Sequence, residues 1–142
     1  MSTILVDNLT GKTSAGSITV TSEGGAATQS LQQGLAKAWA NLNGIGTIAL
    51  RDSLNISSAT DLGTGYYKKS YTNSMSNINY SSVFGGQYGS GAGVYTTLIG
   101  IRNETNYDDP VTTTFIEIVT IGHDGATDDH ECANTNIHGD LA

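Results

Sequence analysis

From residue 112 to 121 the chain reads TTTFIEIVTI, and its apolar positions alternate with a period of two. Phe115, Glu117 and Val119 fall on one face, and Ile116, Ile118 and Thr120 on the other. Such a pattern predicts a β-strand, and apolar residues on both faces place it centrally between two layers or at a subunit interface. Tyr66–Thr72, Asn79–Phe84 and Val94–Arg102 read as further strands, and Cys132–Leu141 as a closing one. Ile45, Thr47 and Ala49 alternate as well, although Ile48 and Leu50 confuse the phase. Between them LRDSLNISSATDLGTG, residues 50–65, reads as a turn-rich connection, and GGQYGSGAG as a loop. Near the N-terminus Ile4-Leu5-Val6 and Ile18-Thr19-Val20 look like two short strands around a turn-forming middle with Gly11 and Gly16.

One helix is predicted. Ser30 and Gln33 have capping-box spacing, and Leu31, Leu35, Ala38, Trp39 and Leu42 recur at helical intervals as one apolar stripe. Lys37 and Asn41 fall off the stripe, and Asn43-Gly44 is a natural stop. Gly34 inside the helix fits either close approach by a symmetry-related helix or simple tolerance. A helix of about a dozen residues is marginal alone, so its stripe needs a partner surface. Several short strands separated by turns favour a sandwich over a βαβ fold. The expected fold is therefore mainly β: a β-sandwich over 45–142, preceded by an N-terminal β segment and linker over 1–27 and a short α-helix over 28–44.

Composition agrees with strands and narrows the functions. Only 13% of the 142 residues are charged, about half the usual share, and their place is taken by Gly, Ser, Thr and Asn. Thirteen acidic against six basic side chains give a net charge of −7. Nucleic-acid binding needs clustered Lys and Arg, and the closest approach is Lys68-Lys69, so nucleic acid is not an expected partner. No stretch has the length and apolarity of a membrane span, and no basic-then-apolar leader opens the chain, so neither membrane insertion nor classical secretion is expected. Cys132 stands alone, which excludes an intrachain disulfide.

The chemistry-bearing motifs are few. Walker A, G-x-G-x-x-G before a helix, H-E-x-x-H, C-x-x-C and a G-x-S-x-G elbow are all missing from the sequence. Asp108-Asp109 and Asp128-Asp129 are adjacent carboxylates in turn contexts, unlike an opposed acid and base. No catalytic residue, cofactor or metal is assigned, and the protein is not expected to be an enzyme. One cluster carries metal-ligand residue types: His123, Asp124, Asp128, Asp129, His130, Glu131, Cys132 and His138. His130 and Cys132 are two apart and would point the same way in a strand, yet no spacing matches a structural zinc module, and a polar connecting loop accounts for the residues. Seven tyrosines against two phenylalanines either mark contact surfaces, with Tyr88 and Tyr107, both in predicted loops, as candidate surface-contact residues, or simply edge the domain core.

The blocks ILVDNLTGKTSAGSITV, LQQGLAKAWANLNG, TIALRDSLNISSATDLGTGYYKKSYTNSMSNINYSSVFG and NTNIHGDLA, in this order, resemble the terminal region of tail-fibre and related virion appendage proteins of tailed bacteriophages, especially marine ones. The resemblance covers nearly the whole chain. It implies a non-enzymatic virion structural protein, a tail-fibre module or capsid or tail appendage, assembled as a homotrimer. It implies further that residues 28–44 are an oligomerisation helix whose Leu31, Leu35, Ala38, Trp39 and Leu42 face neighbouring subunits, and that the partners are further copies, other virion proteins and a host surface glycan or protein. The segment GHDGATDDHECA is longer and richer in His and Asp than the resemblance leads one to expect. Two other functions compete: a carbohydrate-binding module outside any virion, which needs aromatic side chains grouped on one exposed face, and a cell-surface glycan hydrolase, which needs opposed carboxylates in a groove.

Overall fold

In the computed structural model, which describes residues 3–89, 97–102 and 109–142, the chain divides into two units, one up to Leu35 and one from Ala36 onward. The first holds β1 (Thr19–Thr21), β2 (Thr28–Ser30) and α1 (Leu31–Gly34). The second holds β3 (Ala38–Asn43), β4 (Ala49–Leu54), β5 (Ile56–Gly63), β6 (Tyr66–Tyr71), β7 (Ser81–Gln87), β8 (Leu98–Ile101), β9 (Phe115–Ile121) and β10 (Cys132–His138).

The second unit is a sandwich of two four-stranded antiparallel sheets, in the orders β4-β3-β10-β7 and β5-β6-β9-β8. Alternation decides what each sheet buries. β3 and β10 turn Ala38, Ala40, Leu42, Ala133, Thr135 and Ile137 inward, and β6 and β9 turn Tyr67, Lys69, Tyr71, Ile116, Ile118 and Thr120 inward. Small residues on one sheet thus meet large ones on the other, which lets two tyrosines lie in a thin core. The alternation expected for 115–120 holds, with Ile116, Ile118 and Thr120 on the buried face.

The predicted helix is largely a strand. Ser30 Oγ does accept from Gln33 N at 3.4 Å, but the helix ends at Gly34, and Leu35 is already extended. Residues 38–43 then run between β4 and β10 and pair with both. The five stripe residues consequently share no face. Ala38 and Leu42 lie in the core, Trp39 points to the opposite side of the sheet, Leu31 is half-buried in the first unit, and Leu35 is 55% exposed. The physical reason is an ambiguity of spacing: Ala38, Ala40 and Leu42 also repeat every two residues, and two neighbouring strands supply the backbone bonds. Gly34 closes the short helix, where an added Cβ would come within 2.9 Å of the Gln29 amide.

Residues 50–65, read as a connection, instead contain most of β4 and all of β5. The chain passes from one sheet to the other at Asn55, whose φ of 56° lies in the left-handed region, which Asn tolerates better than most residues. Its amide locks the corner: Asn55 Nδ2 donates to Asn73 O at 3.0 Å, and Asn73 N donates to Asn55 Oδ1 at 2.7 Å. Ile4-Leu5-Val6 forms no strand, whereas Ile18-Thr19-Val20 overlaps β1, which pairs with β2 over three residues each. Of the strand expected over 94–102, Leu98–Ile101 forms β8, and residues 94–96 lie outside the described ones.

Candidate functional site

With Ala38, Ala40 and Leu42 turned inward, β3 presents Trp39, Asn41 and Asn43 outward; β10 likewise presents Cys132, Asn134, Asn136 and His138. Strand register lines these up across the sheet. Leu54, Trp39, Asn136 and Val83 form one row, and Asp52, Asn41, Asn134 and Gly85 form the next. A groove of about 460 Å³ lies over this patch, lined by Trp39, Asn41, Val83, Gly85, Asn134 and Asn136 with the intervening Ala40, Phe84 and Thr135. Its volume falls within the span of small-molecule sites. Short amides on β10 and the missing side chain at Gly85, around which nothing lies within 4 Å of a would-be Cβ, leave a depression between the Trp39 ring and the exposed Val83. The Cys132 thiol donates to Asn134 Oδ1 at 3.2 Å and approaches Asn41 Oδ1 at 3.7 Å. That geometry turns the two carbonyls toward the thiol and leaves both amide NH2 groups, and the whole Asn136 amide, without a hydrogen bond to any described residue.

Several tyrosines pack in or against the core. Tyr67 and Tyr71 are core residues, and Tyr80 stacks edge-on against Tyr71 at 6.0 Å while its hydroxyl donates to Thr112 O at 3.0 Å. Tyr88 is half-buried: its ring meets His130 edge-on at 5.5 Å, and its hydroxyl donates to Asp128 Oδ2 at 2.5 Å. It is therefore a tethered side chain and not a free contact residue. Tyr107 lies outside the described residues. The aromatic residue that does face a groove is Trp39, which the sequence hides by placing it equally well on a helical stripe.

The His/Asp-rich segment works as a clamp at one end of the sandwich. Asp129 Oδ1 accepts from the Tyr67 hydroxyl at 2.7 Å and from Gly65 N at 2.8 Å. The Asp128 carbonyl accepts from the Thr120 hydroxyl at 2.5 Å, and Gly44 N donates to His130 O at 2.9 Å. His130 is fully buried, and neither ring nitrogen has a hydrogen-bond partner among the described residues. Burial lowers its pKa, opposed in part by Asp128 and Asp129. Burial first, and then Asp129, raise the Tyr67 pKa. His130 and Cys132 do not share a face, because His130 precedes β10 and turns inward while Cys132 sits half-buried on the outer side. His123 and Asp124 belong to the hairpin turn, where Asp124 Oδ1 accepts from Ala126 N at 3.1 Å. Among the described residues no three His, Cys, Asp or Glu side chains come together as metal ligands do.

Two lysines adjacent in sequence have opposite fates. Lys68 lies over the Phe115 ring at 3.9 Å and within 3.7 Å of Glu117, which also holds Arg102 at 3.0 Å. Lys69 is fully buried; its ammonium crosses the core and donates to Ala133 O at 2.8 Å and Thr135 Oγ1 at 2.6 Å on the facing sheet. Burial brings its pKa down to about 7, with Cys132 acting the other way. The amine thus ties the two sheets together from inside the core. Comparison with known protein families, curated proteins and solved structures finds no match for the chain.

Proposed function

We propose that this chain is a non-enzymatic virion structural protein, a module of a phage tail fibre or of a capsid or tail appendage, that assembles as a homotrimer and meets the host surface. The ordered sequence blocks support the virion reading. The observation that carries the assembly is the state of the first unit. Ile4 is 81% and Leu5 90% exposed, Val6, Leu9, Val20 and Leu35 are also exposed, and no described residue up to Leu35 is buried. A pair of three-residue strands is too small to stand alone in water, and apolar side chains of this size gain about 2 kcal/mol each on burial. Further copies of the chain are the nearest source of a covering surface, and closed symmetry would bury the same residues in every subunit.

Analytical ultracentrifugation of the intact chain tests this. A stable trimer that dissociates on Ile4→Ser with Leu5→Ser supports the reading. A folded monomer at micromolar concentration, unchanged by the pair of substitutions, refutes it. The runner-up is a carbohydrate-binding module outside any virion, favoured by the Trp39 groove; in that case the monomer binds sugar and the N-terminal substitutions are silent.

A further inference from the structure

The outer groove of the β4-β3-β10-β7 sheet combines the Trp39 ring with asparagines whose NH2 groups have no partner among the described residues, and its chemistry selects among ligands. Its lining contains no Lys, Arg, Asp or Glu. The chain carries a net charge of −7, and Asp52 flanks Asn41 in the same cross-strand row. An anionic ligand would therefore meet a net negative chain with no counter-charge in the lining, the nearby Arg51 being engaged by Asn43 and Glu131. A cationic one would find no carboxylate in the lining, and Asp52 beside it already accepts from Ser53 N at 2.8 Å. A dry protein–protein contact is also poorly served, since the amides of Asn41, Asn134 and Asn136 would need partners once water is removed. A neutral sugar answers each of these conditions. Its hydroxyls both donate and accept, matching the open NH2 groups of Asn41 and Asn134 and the carbonyl and NH2 group of Asn136. Its apolar C–H face suits an aromatic ring, whose face is electron-rich.

We propose that this groove binds a neutral oligosaccharide, with the Trp39 indole as the stacking platform and Asn134 and Asn136 as the hydroxyl-reading residues. Asn41 extends the amide row toward β4, and Gly85 keeps the β7 side open so that a second ring can follow the first along the sheet. The inference rests on the reading of the chain as a surface-contact module, which it deepens by naming the ligand class.

The chain contains one tryptophan, and it lines the groove, so intrinsic fluorescence reports occupancy without a label. The test titrates the full chain with maltohexaose, cellohexaose, mannohexaose and galactohexaose, with hexagalacturonate as the charged comparator, up to about 10 mM, a range that covers weak single-site binding. A saturable change in Trp39 emission with at least one neutral hexamer is expected. Asn134→Ala and Asn136→Ala, both outward-facing, should each weaken it roughly five-fold, the loss of one hydrogen bond. Trp39→Phe, followed by calorimetry, should weaken it further while leaving the fold intact by circular dichroism. Three results overturn the proposal: no response to any neutral hexamer, a response only to the charged one, or a neutral response indifferent to both Asn substitutions. Emission that instead follows protein concentration and ignores sugar marks the face as a contact between copies, which also overturns it. Solution mass decides the assembly separately, so a trimer with a silent groove and a monomer with an active one are distinct outcomes.

Discussion

Replacing Lys69 by Met isolates what a buried amine does to the stability of this sandwich. Folded, the amine keeps its proton only below about pH 7, whereas unfolded it keeps it up to the ordinary 10.5. Between those values the unfolded chain binds the additional proton, so stability rises with pH across the window. Below about pH 7 the penalty for burying the charge is present in full, and above about 10.5 it has gone. At 1.36 kcal/mol per pH unit the fall from 10.5 to about 7 corresponds to about 5 kcal/mol. Met fills nearly the same volume without a charge, but gives up the bonds to Ala133 O and Thr135 Oγ1, together about 2 kcal/mol. Lys69→Met should therefore be more stable than the parent by about 3 kcal/mol below pH 7, and less stable by about 2 kcal/mol near pH 10.5. Urea unfolding followed by circular dichroism, at one protein concentration and from about pH 6 to 10.5, measures both curves. Their difference cancels the groups that the two proteins share. A difference that stays flat with pH would refute the reasoning, because it would mean that the amine titrates alike in the folded and unfolded chain.

Other perturbations follow from single contacts. Gly44→Ala places a Cβ against the Tyr67 hydroxyl and within 2.9 Å of His130 O; a loss of about 2 kcal/mol, read as a Tm lowered by roughly 5–10 °C, is expected. Asn55→Ala puts an ordinary residue at φ 56° and removes both side-chain bonds to Asn73; unfolding in urea should show a loss of about 2–3 kcal/mol, of which Asn55→Gly recovers the backbone part. The folded-state pKa of His130 is lowered, so as pH falls through about 6.5 the unfolded chain takes up the proton first and stability drops. His130→Phe should blunt that acid limb in a Tm-versus-pH series, and an unchanged limb would assign it to other groups.

The strands that alternate cleanly were readable from their side chains. Phe115–Ile121 and Tyr66–Tyr71 each carry bulky residues on the face that the fold buries, and Cys132–His138 keeps Ala133, Thr135 and Ile137 in phase. The failures have physical causes. Ala38, Trp39 and Leu42 satisfy a helical period as well as Ala38, Ala40 and Leu42 satisfy a strand period, and alanine favours the helix in isolation. The choice belongs to β4 and β10, which the local sequence does not contain. In β5 only Ile56 is buried, and the rest of the strand is Ser, Thr, Asp, Gly and half-covered or exposed apolar positions, so no alternation marks it. The burial of Lys69 is decided by its strand face, which the pair Lys68-Lys69 does not reveal in sequence. Trp39 became legible as a groove residue only once the β3 register was known, since a shift by one residue would have buried it.

The position of β10 bears on how the protein is made. This strand is the last of the sandwich in chain order, yet it fills the gap between β3 and β7 and bonds to both. On a ribosome, β3 must wait with one edge bare until roughly ninety further residues have been added, some 5–20 s at ordinary elongation rates. During that interval an open strand rich in alanine is available to the wrong partner, including the same strand of a neighbouring nascent chain. Closure of the core is thus confined to the moment when the chain beyond His138 clears the exit, and the speed of that late insertion, more than the strength of any contact, will govern how much newly made protein escapes aggregation.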